Sequence, residues 1–113
     1  MRERAVGREL VAALRHAAAE KGLTRVRRAH VAVPSRREAD LDAVDRWFRA
    51  AAGGPIGDDV DLHMEERPAV AFCLACAVDV VVRRRADACP SCGGHRLRFD
   101  ASDDLRVLDC DGE

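Results

Sequence analysis

Apolar residues recur at helical spacing over Arg4 to Lys21, with Val6, Leu10, Leu14 and Ala17 in line and Val11 and Ala18 widening the stripe. The pattern predicts an amphipathic helix that stops at Gly22, since glycine takes the left-handed position after a helix without steric cost. From Thr24 to Val33 the period changes to two. Ala29, Val31 and Val33 share one face of a strand, Val26 falls on the other, and Pro34 ends it. Ser35 and Glu38 match a capping box for a second helix running to about Ala52. Its stripe is Leu41, Val44 and Phe48, with Trp47 at the edge, and Gly53-Gly54-Pro55 closes it. Val60 to Arg67 alternates cleanly, Val60, Leu62 and Met64 inward and Asp61, His63 and Glu65 outward, as a half-buried strand does.

Pro68 marks a boundary. Beyond it Val78, Val80 and Val82 form one strand and Arg96 to Phe99 another, Asp100 to Asp104 reads as a polar linker, and Leu105 to Cys110 is a last strand. An isolated strand leaves its backbone groups unpaired, so this segment is expected to return to the first sheet. The expected architecture is α+β: two helices on one face of a three-stranded sheet, interrupted by a metal-stapled insert. Residues 1–68 with 101–113 form the α+β domain and 69–100 the insert.

Composition narrows the function classes. Hydrophobic residues make up 48% of the 113 and charged residues 35%, which excludes a disordered chain. With 19 basic and 20 acidic residues the net charge of −1 gives no general pull toward nucleic acid or an anionic membrane. No apolar run approaches the roughly 20 residues a membrane span needs. Met1-Arg2-Glu3-Arg4 leads into the amphipathic stretch rather than an apolar leader, and five cysteines is an odd count. A reducing cytoplasm is therefore the expected compartment.

The candidate chemistry is Cys73-Leu74-Ala75-Cys76 and Cys89-Pro90-Ser91-Cys92-Gly93, two Cys-x-x-Cys hooks separated by twelve residues. Each hook can grip one edge of a tetrahedron. Zn²⁺ suits four thiolates because it has no redox chemistry and little geometric demand beyond tetrahedral. Pro90 stiffens the second turn, and Gly93 with Gly94 permits the positive φ that turns backbone N–H groups toward the sulfurs. The alternatives are two disulfides or four separate buried thiols. Arg83, Arg84 and Arg85 could offset part of the charge of about −2 on a four-thiolate zinc site, though a solvated turn explains them as well. His95 could compete as a ligand, but four cysteines already fill the tetrahedron, so it is expected to lie beside the site or exposed; Cys110 reads as a small strand residue, and His16 and His30 as surface residues.

No glycine-rich phosphate loop, G-x-S-x-G or H-E-x-x-H occurs. Asp40, Asp42 and Asp45 read as the solvated face of a helix, so the chain is not expected to be an enzyme.

The order of these parts resembles the HypA/HybF family, the hydrogenase and urease nickel-incorporation metallochaperones. The resemblance runs through the whole chain: the N-terminal helix, Gly22-Leu23-Thr24-Arg25-Val26, Leu41 to Phe48, the hooks, and Asp104-Leu105-Arg106-Val107. It implies structural zinc on Cys73, Cys76, Cys89 and Cys92. It implies nickel held by a Met-His-Glu start, where this chain has Met1-Arg2-Glu3. Imidazole offers a lone pair to a divalent ion; guanidinium has none and stays charged. A remnant site of Met1 and Glu3, with Asp40 as a further oxygen donor, would hold Ni²⁺ more weakly. The implied partners are a nickel-loading GTPase and a hydrogenase large-subunit precursor, without nucleic acid or membrane, for a monomer or strand-swapped homodimer. Two readings compete with this one: a zinc-ribbon protein adaptor that handles no nickel, and a zinc-ribbon nucleic-acid binder supported only by the arginine run.

Overall fold

A computed structural model describes residues 2–84, 86–99 and 105–113, with the backbone alone at Arg36. Met1, Arg85 and the Asp100–Asp104 linker lie outside the described residues. Helix α1 spans Arg2–Lys21, strand β1 Val26–Pro34, a short 3-10 turn Ser35–Arg37, helix α2 Leu41–Ala51 and strand β2 Ile56–Arg67. The remaining strands are β3 Ala69–Cys73, β4 Val78–Val82, β5 Leu97–Phe99 and β6 Arg106–Gly112. The chain divides into two compact units. One comprises Met1–Ala32, Ala39–Glu65 and Leu105–Glu113; the other comprises Val33–Glu38 and Glu66–Asp104.

In the first unit α1 ends as its glycine predicts. Gly22 has φ +70°, Leu23 N–H donates to Ala18 O at 2.8 Å and Gly22 N–H to Ala19 O at 3.2 Å, which satisfies carbonyls the helix leaves open. Val6, Leu10, Val11, Leu14 and Ala18 are buried along α1. Ala17, expected in that stripe, is only half-buried. The helix packs against α2 and β6. Close approach to α2 depends on Gly7, because a Cβ there would lie 2.9 Å from Trp47 Cβ and 3.0 Å from Phe48 N.

The sheet order is β2-β1-β6, with β1 and β6 antiparallel. The last strand therefore returns to the first sheet, as its unpaired backbone required. Val26 is fully buried along with Ala29 and Val31, although strict alternation placed it on the opposite face. The register shift between Val26 and Arg28 explains the difference. It inserts an extra residue into β1 and resets which side chains point inward. The far end of β1 is held by Glu113, whose backbone N–H donates to Arg25 O at 2.9 Å while its carbonyl accepts from Thr24 N–H at 2.6 Å.

Helix α2 begins at Leu41, not at Ser35. Ser35 is buried and its hydroxyl donates to Arg83 O at 2.5 Å, so it cannot cap a helix, and Glu38 adopts a left-handed φ of 50°. Asp40 is the cap: its Oδ1 accepts from Asp42 N–H at 3.1 Å. Arg49, near the other end, ties α2 to β2 through Asp58 O at 2.6 Å and Val60 O at 2.9 Å.

The second unit carries a three-stranded antiparallel sheet in the order β4-β3-β5. Strand β3 was not anticipated. Its buried face is Ala69, Ala71 and Cys73, side chains too small to register as an apolar run. With Val80, Val82 and Cys89 they form a small core, against which Cys76, Leu97 and Phe99 pack.

Candidate metal centre

The hooks occupy two turns of the same build. In the first, β3 ends on buried Cys73, Cys76 N–H points to Cys73 Sγ at 3.4 Å, and Ala77 N–H donates to Cys73 O at 2.8 Å. In the second, Gly94 N–H points to Cys92 Sγ at 3.4 Å and Gly93 N–H donates to Cys89 O at 2.8 Å. The residue after each hook has positive φ: 57° at Ala77 and 74° at Gly93. The turns are pinned to their surroundings by Leu74 N–H on Arg96 O at 2.9 Å and Cys89 N–H on Gly94 O at 2.7 Å.

These turns bring Cys73, Cys76, Cys89 and Cys92 together with all four ligand atoms within 4.8 Å of one another. Cys73 and Cys92 sulfurs are 3.7 Å apart, and those of Cys76 and Cys89 3.9 Å. Four sulfurs at a Zn–S distance of about 2.3 Å stand about 3.8 Å apart along each tetrahedral edge. Both measured edges match, no disulfide joins these cysteines, and the cluster fits a zinc ion.

The thiols are not equivalent. Cys89 is pulled down to about 7 by the backbone N–H groups of Cys92 and Ser91. Cys76 is pushed up to about 12 by its sulfur contacts with Cys92 and then Cys73, which favour its proton. One sulfur is thus poised as a thiolate near neutrality, and a metal must displace a proton from another.

Among the described residues no other group of three or more histidine, cysteine, aspartate or glutamate side chains comes together as a metal site. His16 pairs with Glu20 at 3.0 Å on the exposed face of α1, His30 lies 3.5 Å from Glu65, and His63 3.2 Å from Asp61. His95 is exposed, Cys110 is buried on β6, and neither belongs to the cysteine cluster. Glu3 sits half-buried in the first turn of α1 and Arg2 is exposed beside it. Arg83 and Arg84 lie in a turn closed by Asp87, whose Oδ2 accepts from their backbone N–H groups at 3.2 and 3.0 Å. The left-handed Ala77 was missed from the sequence, but laying Cys-x-x-Cys-Ala over Cys-x-x-Cys-Gly would have pointed to it.

Residues 1–111 match the family model described as hydrogenase/urease nickel incorporation, metallochaperone, hypA. The chain belongs to the HypA family. Among its curated HypA relatives is the hydrogenase maturation factor HypA of Azotobacter vinelandii, 33% identical over 113 residues and covering 100% of both chains. That of Alkalilimnicola ehrlichii is 34% identical over 109 residues, 96% of each. The solution structure of the Ni metallochaperone HypA from Helicobacter pylori superposes with a TM-score of 0.73, covering 96% of this chain and 95% of that one. At 16% identity that likeness is one of fold. The family is one of maturation factors and metallochaperones, not of catalysts.

Proposed function

We propose that this HypA-family chain is a zinc-stapled maturation factor that assists nickel delivery to a NiFe hydrogenase precursor, with its nickel-holding end weakened at position 2. The observation that carries the reading is a full-length family match in a chain whose four hook sulfurs stand at tetrahedral spacing. Cys73, Cys76, Cys89 and Cys92 would hold zinc, and segment 69–100 would serve as the inserted module of a domain formed by 1–68 with 101–113. Zinc here supplies structure, tying two turns that a core of two valines, two alanines and two cysteines could not fix alone.

Nickel is cargo on this reading. Its donors would be the Met1 amine, nearby backbone nitrogens and the Glu3 carboxylate. Arg2 offers no lone pair and adds a positive charge beside the ion. Asp40, a further oxygen in reach by sequence reasoning, is engaged as the α2 cap. The partners this role implies are a nickel-loading GTPase and the large-subunit precursor. Arg2 also favours a second reading, a zinc-ribbon adaptor that engages the maturation machinery and carries no nickel.

The chain's single tryptophan gives the test. Trp47 rests against Gly7 of α1, with the Arg4 guanidinium 5.5 Å from its ring centre, so it reports on the first turns of that helix. Ni²⁺ titrated into zinc-loaded protein should quench Trp47 weakly in the wild type, not at all in Glu3→Ala, and at markedly lower nickel concentration in Arg2→His. Tight binding by the wild type that ignores Glu3 would overturn the weakened-site proposal. No nickel binding by Arg2→His would favour the adaptor.

A further inference from the structure

Strand β4 is an edge of the second sheet, since the order β4-β3-β5 leaves no strand on its other side among the described residues. Its sequence is Val78-Asp79-Val80-Val81-Val82, an apolar edge of the kind proteins usually blunt or cover. Val80 and Val82 face the core, but Val81 is 58% exposed and its cross-strand neighbour Val70 48%. The two valines stand side by side on the outer face.

The backbone groups of that edge can be assigned. Leu74 N–H donates to Arg96 O, so the even residues of β3 turn toward β5 and the odd ones toward β4. Ala71 and Cys73 oppose Val80 and Val78, which therefore spend their N–H and C=O groups on β3. The N–H and C=O of Asp79 and Val81 point outward. Arg83 follows on the same edge, exposed, with its own N–H taken by Asp87.

This edge is complementary to itself. We propose that a second copy of the chain adds antiparallel across it, β4 to β4, about a two-fold axis at Val80. Asp79 of each copy then exchanges both backbone hydrogen bonds with Val81 of the other, which satisfies all four groups left open on each edge. In that register the Asp79 carboxylate of one copy lies diagonally beside Arg83 of the other, within reach of its long side chain. Across the joint each row then runs from Val70 and Val81 of one copy to Asp79 and Phe72 of the other. An acidic peptide strand could use the same hydrogen bonds, but only a second copy supplies the acid and the base at matching positions on both sides. Such a joint is smaller than a standard interface of about 1,600 Å², so the association depends on concentration.

Sedimentation velocity on zinc-loaded protein over a wide concentration range tests the proposal. The wild type should shift from monomer to dimer. Val81→Asp, which sets a carboxylate directly opposite Asp79 of the other copy on both sides of the axis, should abolish the shift. Asp79→Arg should weaken dimerisation about ten-fold through two lost pairs, and Arg83→Asp similarly. The double variant Asp79→Arg/Arg83→Asp should recover it. Recovery separates ion pairing from misfolding, and zinc content per chain confirms that each variant holds its metal turns. A wild type that stays monomeric at every concentration overturns the proposal. So does a dimer indifferent to Val81→Asp, which would point to exchange of β6 instead.

Discussion

The two metal turns share one backbone path, but only one has the residue that path favours. Ala77 sits at φ 57° and Gly93 at φ 74°. A left-handed conformation costs a residue with a Cβ roughly 1–2 kcal/mol. Glycine escapes that cost but gives up about 0.5–1 kcal/mol more chain entropy on folding. The difference predicts that Ala77→Gly stabilises the metal unit by about 0.5–1 kcal/mol. Gly93→Ala should destabilise it by a similar amount. A Cβ on Gly93 meets nothing within 4 Å, so its cost is backbone strain alone, without a clash to confuse the result. The double variant should return close to wild type, since it only moves the strain from one turn to the other. Heating the zinc-loaded protein with a chromogenic chelator reads the opening of this unit directly, and each single change should move the midpoint by roughly 2–8 °C. A lower midpoint for Ala77→Gly, or a shift of both variants in the same direction, would refute the claim that the turns are equivalent.

Gly7→Ala sets helix propensity against packing: propensity favours alanine by about 1 kcal/mol, but the new Cβ would press on Trp47 and on the backbone of α2, which cannot move aside. Overpacking of about 1–3 kcal/mol should win, so urea unfolding should show net destabilisation, and a gain would mean that the helices can separate freely. For zinc, affinity should rise with pH, and its slope should be steeper by one proton per ion below about 7, where Cys89 must still ionise. In the metal-free chain the lowered Cys89 value adds stability that is present above its ordinary 9.0 and fades as pH falls through about 7. The raised Cys76 value adds stability present below 9.0 and lost as pH climbs toward about 12. Competition with a chelator across pH checks the first point, and unfolding of metal-free protein checks the other two.

The elements that were legible in the sequence are those whose causes are local. Helix α1 announces itself by an apolar stripe and a glycine stop, and both act within a turn or two of the residues that carry them. The hooks are legible because metal ligation fixes both residue type and spacing. The misreadings have long-range causes. Ser35 and Glu38 have the pattern of a capping box, but the Ser35 hydroxyl is taken by Arg83 O, 48 positions away. Val26 faces inward because β6 pairs with β1 irregularly, and the partner strand lies at the other end of the chain. Strand β3 is built on Ala69, Ala71 and Cys73, whose weak hydrophobic signal becomes a core only once the sulfurs gather.

That last case bears on why the metal is there at all. The second unit's core has two valines and two alanines beside two cysteines as its fully enclosed members, too little apolar surface to fix a three-stranded sheet at the roughly 25 cal/mol per Å² that burial supplies. The strands and the first metal turn meanwhile leave Val70, Leu74, Val78 and Val81 at the surface. A unit that folds mainly by filling its interior would be expected to turn such residues inward. One held by a staple need not, and can keep an apolar face and an unpaired edge free for contact. Structure supplied by the metal and surface left for a partner are, on this argument, two consequences of the same four cysteines. If so, stripping the zinc should abolish self-association even where Val81, Asp79 and Arg83 are untouched, because the edge exists only while the turns on either side of it are tied.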